Sequence, residues 1–174
     1  MPHENLESAF KSFLVEHGGA VVRVARAYTP TAEDCQNLVQ EILLQVWRSL
    51  PGFHGRASVS TWIYRVALNT ALGWHRKETR RRAHHHPVIK VEDLSAQGLD
   101  SARQMVERET VERLYAAIHQ LPKTDAALVL LYLEDLTYRQ MAEVLGISES
   151  HVGVKLNRAK KTLGELMREE SHES

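Results

Sequence analysis

The sequence predicts an all-α protein of two small helical domains, and three observations carry that prediction. Apolar residues return at helical spacing through Leu38, Val39, Ile42, Leu43, Val46, Trp47 and Leu50. No stretch alternates with period two between hairpin turns. The segment Tyr138 to Lys161, YRQMAEVLGISESHVGVKLNRAKK, reads as two short helices around a glycine.

The elements follow in order. Near the N-terminus Phe10, Phe13, Leu14, Val21, Val22, Val24 and Ala25 predict one or two helices broken near Gly18-Gly19, and YTPTAED predicts a loop feeding a capped helix start. The stripe from Leu38 to Leu50 predicts a helix that Pro51 in PGF ends. In STWIYRVALNTALGWHRKETRRR, Ile63, Val66, Ala67, Thr70 and Trp74 share one helix face and Arg65, Asn69, Leu72 and Arg76 another, with Trp62 on the border. Residues 84–104 lack a sustained apolar period and contain Pro87 and Gly98, which predicts a flexible linker between a domain over 1–83 and a second over 105–174.

A chain of 174 residues, 43% of them hydrophobic, is long enough to bury a core. Its longest apolar run, AALVLLYL from Ala126 to Leu133, is too short to span a bilayer, and MPHENLESAF has no basic stretch leading into an apolar one. The expectation is a cytoplasmic protein without membrane insertion. Cys35 is the only cysteine, so no intrachain disulfide or thiolate zinc cluster can form, and it reads as a buried or idle thiol. The run His84-His85-His86 has no further ligand in register and reads as the solvated start of the linker, not as a metal site. With no metal-ligand helix, phosphate-cradling glycine loop or nucleophile motif, the sequence predicts neither an enzyme nor a cofactor.

Lysine plus arginine and aspartate plus glutamate each number 22, so the formal net charge is zero. The charges are segregated all the same. Arg76, Lys77, Arg80, Arg81 and Arg82 crowd around one acid, Glu78, and Lys155, Arg158, Lys160 and Lys161 form a second cluster with no acid among them. Salt confines the field of a charge to ~8–10 Å, so a polyanion responds to such patches and not to the total.

Thr137 with Gln140 makes a capping-box pattern, Ser148-Glu149 suits the start of the next helix, and Gly146 between them suits a positive φ. Counted from Tyr138, Ala142, Gly146 and Val152 stand fifth, ninth and fifteenth, the spacing at which the two helices of a helix-turn-helix cross closely. Val152, Leu156, Ala159 and Leu163 then pack inward, and His151, Val154, Lys155, Arg158 and Lys161 face out. Such a face suits a DNA major groove with phosphates at its flanks. The first basic cluster leaves two readings open: an aromatic and cationic surface for nucleic acid, or a core tryptophan followed by a solvated arginine tail.

NLVQEILLQVWRSLPGFHGRASVSTWIYRVALNTAL, then a linker, then LPKTDAALVLLYLEDLTYRQMAEVLGISESHVGVKLNRAKKTL, together resemble an extracytoplasmic-function sigma factor of bacterial RNA polymerase, in the sigma-70 superfamily. The likeness covers nearly the whole chain. An LVQE helix ending in tryptophan, an F.G loop and a TW.YR.A.N helix match region 2, and LP followed by the helix-turn-helix and RA matches region 4. The resemblance implies that Gln40, Glu41, Gln45, Trp47 and Arg48 contact the clamp helices of the polymerase β′ subunit. It implies that Phe53, His54, Arg56, Ser58, Trp62, Arg65, Asn69, Arg76, Lys77 and Arg80 recognise the −10 element and hold its melted strand. Arg139, Ser148, Ser150, His151, Val154, Lys155, Asn157, Arg158 and Lys161 would read the double-stranded −35 element. Contact with the polymerase β flap and control by an anti-sigma factor are implied as well. An autonomous helix-turn-helix regulator is the alternative, and it leaves the first domain without a role.

The chain departs from the family pattern at four positions. Asn37 stands where an acid is usual, Met141 fills an isoleucine slot, and His151 replaces a common threonine. Gly153 lies inside a helix, at a cost of ~1 kcal/mol relative to alanine, unless packing or close approach to DNA requires it.

Overall fold

The structure, a computed structural model, describes residues 2–83 and 102–172; they form seven α-helices and one 3-10 turn, with no β-strand among them. Positions 84–101 of the expected linker, His84–His86 included, lie outside the described residues.

Helix α1, Pro2–Tyr28, runs through Gly18-Gly19 without a break. Its inward residues Phe13, Val21, Val24 and Tyr28 are buried. Burying one such side chain contributes ~1.5–3 kcal/mol, which outweighs the ~1 kcal/mol that each helical glycine costs. Helix α2, Ala32–Ser49, begins at Thr31, whose hydroxyl accepts the Asp34 N–H at 3.1 Å, and buries Leu38, Ile42 and Val46. Pro51 sits in the 3-10 turn Leu50–Gly52 that ends it. Helix α3, Val59–Ala83, starts where the Ser58 hydroxyl accepts the Thr61 N–H at 3.1 Å. Helices α1, α2 and α3 pack pairwise into a three-helix bundle.

The second half comprises α4 (Ala102–Gln120), α5 (Lys123–Leu133), α6 (Tyr138–Leu145) and α7 (Glu149–His172). Helix α4 thus begins three residues inside the stretch read as linker. In α5 the six consecutive residues Ala126 to Leu131 are all buried. A helix that is apolar all round must be enclosed on every side. Here α7, α4 and α6 cover part of it, and α1 and α3 of the first half cover the rest. The two halves therefore share one core.

Polar ties flank that shared core. The Tyr28 hydroxyl donates to the Lys123 carbonyl at 2.8 Å, and His119 Nε2 lies 2.8 Å from the Arg26 carbonyl. Arg26 pairs with Glu112 and stacks over the Tyr115 ring, 4.1 Å from its centroid. Arg23 forks onto both carboxylate oxygens of Glu134, and the Tyr64 hydroxyl donates to the same carboxylate at 2.5 Å.

Candidate nucleic-acid interface

The helix-turn-helix forms as its caps and glycine require. The Thr137 hydroxyl accepts the Gln140 N–H at 3.2 Å while the Gln140 side chain accepts the Thr137 N–H at 2.9 Å, closing the capping box. Gly146 ends α6 at φ 67°, where a side chain is strained, and its N–H returns to the Ala142 carbonyl at 2.9 Å. The Ser148 hydroxyl then accepts the His151 N–H at 3.2 Å and starts α7. Ser148 is thus engaged as a cap, a role distinct from the DNA contact expected of it.

Val152, Leu156 and Ala159 are fully buried and fix the rotation of α7. Ser150, His151, Val154, Lys155, Asn157, Arg158 and Lys161 are exposed, as the helical period predicts. No carboxylate pairs with Lys155, Arg158 or Lys161 among the described residues. Arg139 is exposed on α6, 3.7 Å from Glu143. Lys160, in the basic run, is held instead over the Tyr132 ring, 4.2 Å from its centroid.

Sequence reasoning missed Tyr138. It opens α6, is 42% exposed, and lays its ring against the backbone of Gly153. A Cβ built at Gly153 would stand 3.4 Å from Tyr138 Cε2, which is ordinary contact. The glycine therefore makes room for the ring, but a methyl group also fits. The local signal was available: Tyr138 is the first residue of a capped helix, and a glycine in the crossing helix offers it a flat seat.

On the first half, Phe53 and Trp62 are both half-buried with ring centroids 4.8 Å apart, forming an aromatic wall at the start of α3. The loop beside it carries exposed His54 and Arg56 around Gly55 at φ 70°. Ser58 caps α3, and its hydroxyl also donates to Thr61 at 2.8 Å. Asn69, Arg76, Lys77 and Arg80 are exposed along α3. Arg81 and Arg82 lie 3.5 and 4.0 Å from Glu78, and Arg82 lies 3.6 Å from Asp34, so the outer part of the cluster is partly neutralised. Arg65 differs from its neighbours: half-buried, it donates to the Glu143 carbonyl of α6 at 2.9 Å.

A third surface lies on α2. Gln40, Trp47 and Arg48 are exposed, Trp47 at 36%, with its ring edge-on to Phe10 at 5.3 Å. Glu41 and Gln45 are half-buried and bonded to each other at 3.2 Å. Leu44, 41% exposed, falls on the face of Gln40, Trp47 and Arg48 and was not singled out by the apolar stripe. Helix α2 thus presents two large apolar side chains to solvent, framed by polar ones.

Comparison with known proteins bears on both halves. Residues 13–81 match the family model for sigma-70 region 2, and residues 111–163 that for sigma-70 region 4. The chain is 31% identical over 141 residues to the ECF RNA polymerase sigma factor SigX of Bacillus subtilis, covering 78% of this chain and 73% of that protein. It is 28% identical over 160 residues to the ECF RNA polymerase sigma factor SigM of Mycobacterium tuberculosis, covering 91% and 77%. Among solved structures, the sigma factor RpoE in complex with the anti-sigma factor NepR from Bartonella quintana matches with a TM-score of 0.70 at 18% identity, over 92% of this chain and 97% of that one.

Proposed function

The chain belongs to the extracytoplasmic-function sigma factors of the sigma-70 family, and from that premise we propose how its surfaces divide the work. As a sigma factor it binds core RNA polymerase and directs promoter-specific initiation through the −10 and −35 elements. It is a specificity subunit acting in the cytoplasm: bond formation belongs to the polymerase, and this chain's residues select where it starts. The alternative, an autonomous helix-turn-helix regulator, has no use for the exposed Leu44 and Trp47 of α2.

In this reading residues 1–83 form the polymerase-docking and −10 domain, 84–104 the linker, and 105–174 the −35 domain. Gln40, Leu44, Trp47 and Arg48 supply the docking face, where an exposed tryptophan and leucine framed by polar groups suit a protein partner. Phe53 and Trp62 receive unstacked bases, and Asn69, Arg76, Lys77 and Arg80 follow the melted strand. His151, Val154, Lys155, Asn157 and Arg158 enter the major groove, with Arg139 and Tyr138 beside the phosphates, because the first helix of such a motif crosses the DNA backbone. An anti-sigma factor is the expected regulator, since the RpoE relative is solved with one.

The observation that carries the reading is that each half exposes a basic helical face whose cations Lys155 and Arg158, and Lys77 and Arg80, lack carboxylate partners among the described residues. The test is run-off transcription with purified core polymerase, followed by −35 duplex binding under a salt titration. Replacing Lys155 or Arg158 with alanine lowers the salt slope by ~1 if the residue contacts a phosphate, or removes ~1–3 kcal/mol of discrimination at one position if it reads a base. His151→Ala alters base preference, because the helix N-terminus is the part that reaches base edges. Unchanged affinity, salt slope, base preference and transcription in all three folded variants would reject the assignment.

A further inference from the structure

Beside the Thr29-Pro30 loop, where residues of α1, α3, α4 and α5 come together, lies a cleft of about 310 Å³. None of the residues assigned above to promoter or polymerase lines it. On α3 its wall carries Trp74, Glu78 and Arg82, which stand at i, i+4 and i+8 and so form one stripe that rises by about 6 Å from each to the next. Lys123, at the start of α5, lines the same space.

Two charged groups in this cleft lack what they need. Glu78 Oε2 is buried and accepts no hydrogen bond among the described residues, although Arg81 Nη2 stands 3.5 Å away and Arg82 Nε 4.0 Å. The half-buried Lys123 meets no carboxylate among the described residues, and its ammonium has only the His119 carbonyl at 3.5 Å and the Tyr28 ring at 5.8 Å. Burial accordingly lowers its pKa. The charges of Lys123 and Arg82 also reach the His75 imidazole, where they add to burial in lowering its pKa, so both cations act on one space. A larger cleft close by offers the contrast, since its Arg26 is already paired with Glu112. A buried charge is costly until a partner arrives, and here the partner must come from outside the described residues.

We propose that this cleft binds a ribonucleotide, with its phosphate at Lys123 and Arg82, its sugar hydroxyls at Glu78 Oε2 and its base against Trp74. The three parts follow the order of the stripe, one to each turn of α3. A phosphate group presents three outer oxygens, so it accepts donors that arrive from different helices, whereas a carboxylate has two oxygens in one plane. Ribose hydroxyls are donors, and an acidic side chain is their usual acceptor in nucleotide sites. The half-buried indole supplies a flat apolar surface on which any base can stack. The cleft stands near the lower end of the volumes that ligand sites occupy, which suits one nucleotide and not two. The inference goes beyond the sigma-factor reading and needs none of the promoter assignments.

The experiment titrates the full-length chain by calorimetry with AMP, CMP, GMP and UMP, and then with parts of the tightest binder: its nucleoside, its 2′-deoxy form, ribose 5-phosphate and inorganic phosphate. At least one ribonucleotide is expected to bind one to one with a Kd below about 1 mM and to raise the Tm. Removing the phosphate and replacing Lys123 by Lys123→Gln should each weaken binding at least about tenfold, and the two losses should not add, because both delete the same contact. The ribose form should bind more tightly than the deoxy form, and Glu78→Gln should shrink that ratio. Lys123→Gln keeps the main-chain carbonyl that accepts the Tyr28 hydroxyl, and circular dichroism checks its fold. Should it fail to fold, Glu78→Gln decides through the ratio of ribose to deoxy affinity. The site is overturned if no ribonucleotide saturates in that range, if inorganic phosphate binds as tightly as the nucleotide, or if ribose and deoxy forms bind alike. Full binding by folded Lys123→Gln would overturn it too, and would place the nucleotide on one of the basic DNA-facing surfaces.

Discussion

Gly153 shows how one residue carries both a cost and a position. Its Cα faces the Tyr138 ring at the crossing of α6 and α7, and a methyl group there would make contact at 3.4 Å without a clash. Gly153→Ala should therefore gain helix propensity, raising stability by up to about 1 kcal/mol, seen as a higher Tm, while −35 affinity stays within about twofold. Gly153→Leu should instead displace Tyr138 and weaken −35 binding in the folded protein. Equal affinity in the leucine variant would remove Tyr138 from the interface. The sequence revealed the glycine but not its neighbour, because the two residues belong to different helices and no period links them. The cationic residues were easier: His151, Lys155 and Arg158 follow from the helical period once Val152, Leu156 and Ala159 are assigned inward.

At the scale of elements, the caps were legible and the partners of the helices were not. Thr137, Gln140, Gly146 and Ser148 form the bonds their spacing predicts, because a cap is a local arrangement within four residues. Thr137→Ala should cost ~1 kcal/mol, read as a lower unfolding midpoint, and loosen α6 where Arg65 meets it. An unchanged midpoint would mean that the box is redundant with packing. The run Ala126 to Leu133 signalled a buried helix, yet nothing within it says that α1 and α3 supply the cover. Arg23, Tyr64 and Glu134 carried no signal, since a charged or phenolic side chain on an amphipathic helix reads as surface until its partner, up to 111 residues away, is placed. For the same reason Arg65 was legible as part of a polar face and illegible as a bond to the other half. The Gly18-Gly19 break was misjudged because local propensity was weighed without the core that α1 enters.

For the whole molecule, the junction between the halves is also where acid should act. His75 on α3 lines a cleft with Glu78 and Arg82 of its own helix, His119 of α4 and Lys123 of α5. Burial, then Lys123 and Arg82, lower its pKa below the ordinary 6.5. An imidazole depressed where the halves meet binds its proton more readily once they part, so their packing is favoured above pH 6.5 and weakens as pH falls below it. Scattering from pH 7.5 down to about 5.5 should show the chain expanding, and His75→Gln should flatten that response. Identical curves for wild type and variant would clear His75 of the effect. The Arg65 contact has a different consequence, because its acceptor is a main-chain carbonyl. In a hybrid whose C-terminal half comes from a relative, any residue at 143 offers that carbonyl, but only an acid at 134 satisfies Arg23 and Tyr64 together. Exchange of C-terminal halves between paralogues is then limited by compatibility at the seam, and a chimera matched at positions 23, 64 and 134 should unfold at a higher temperature than a mismatched one.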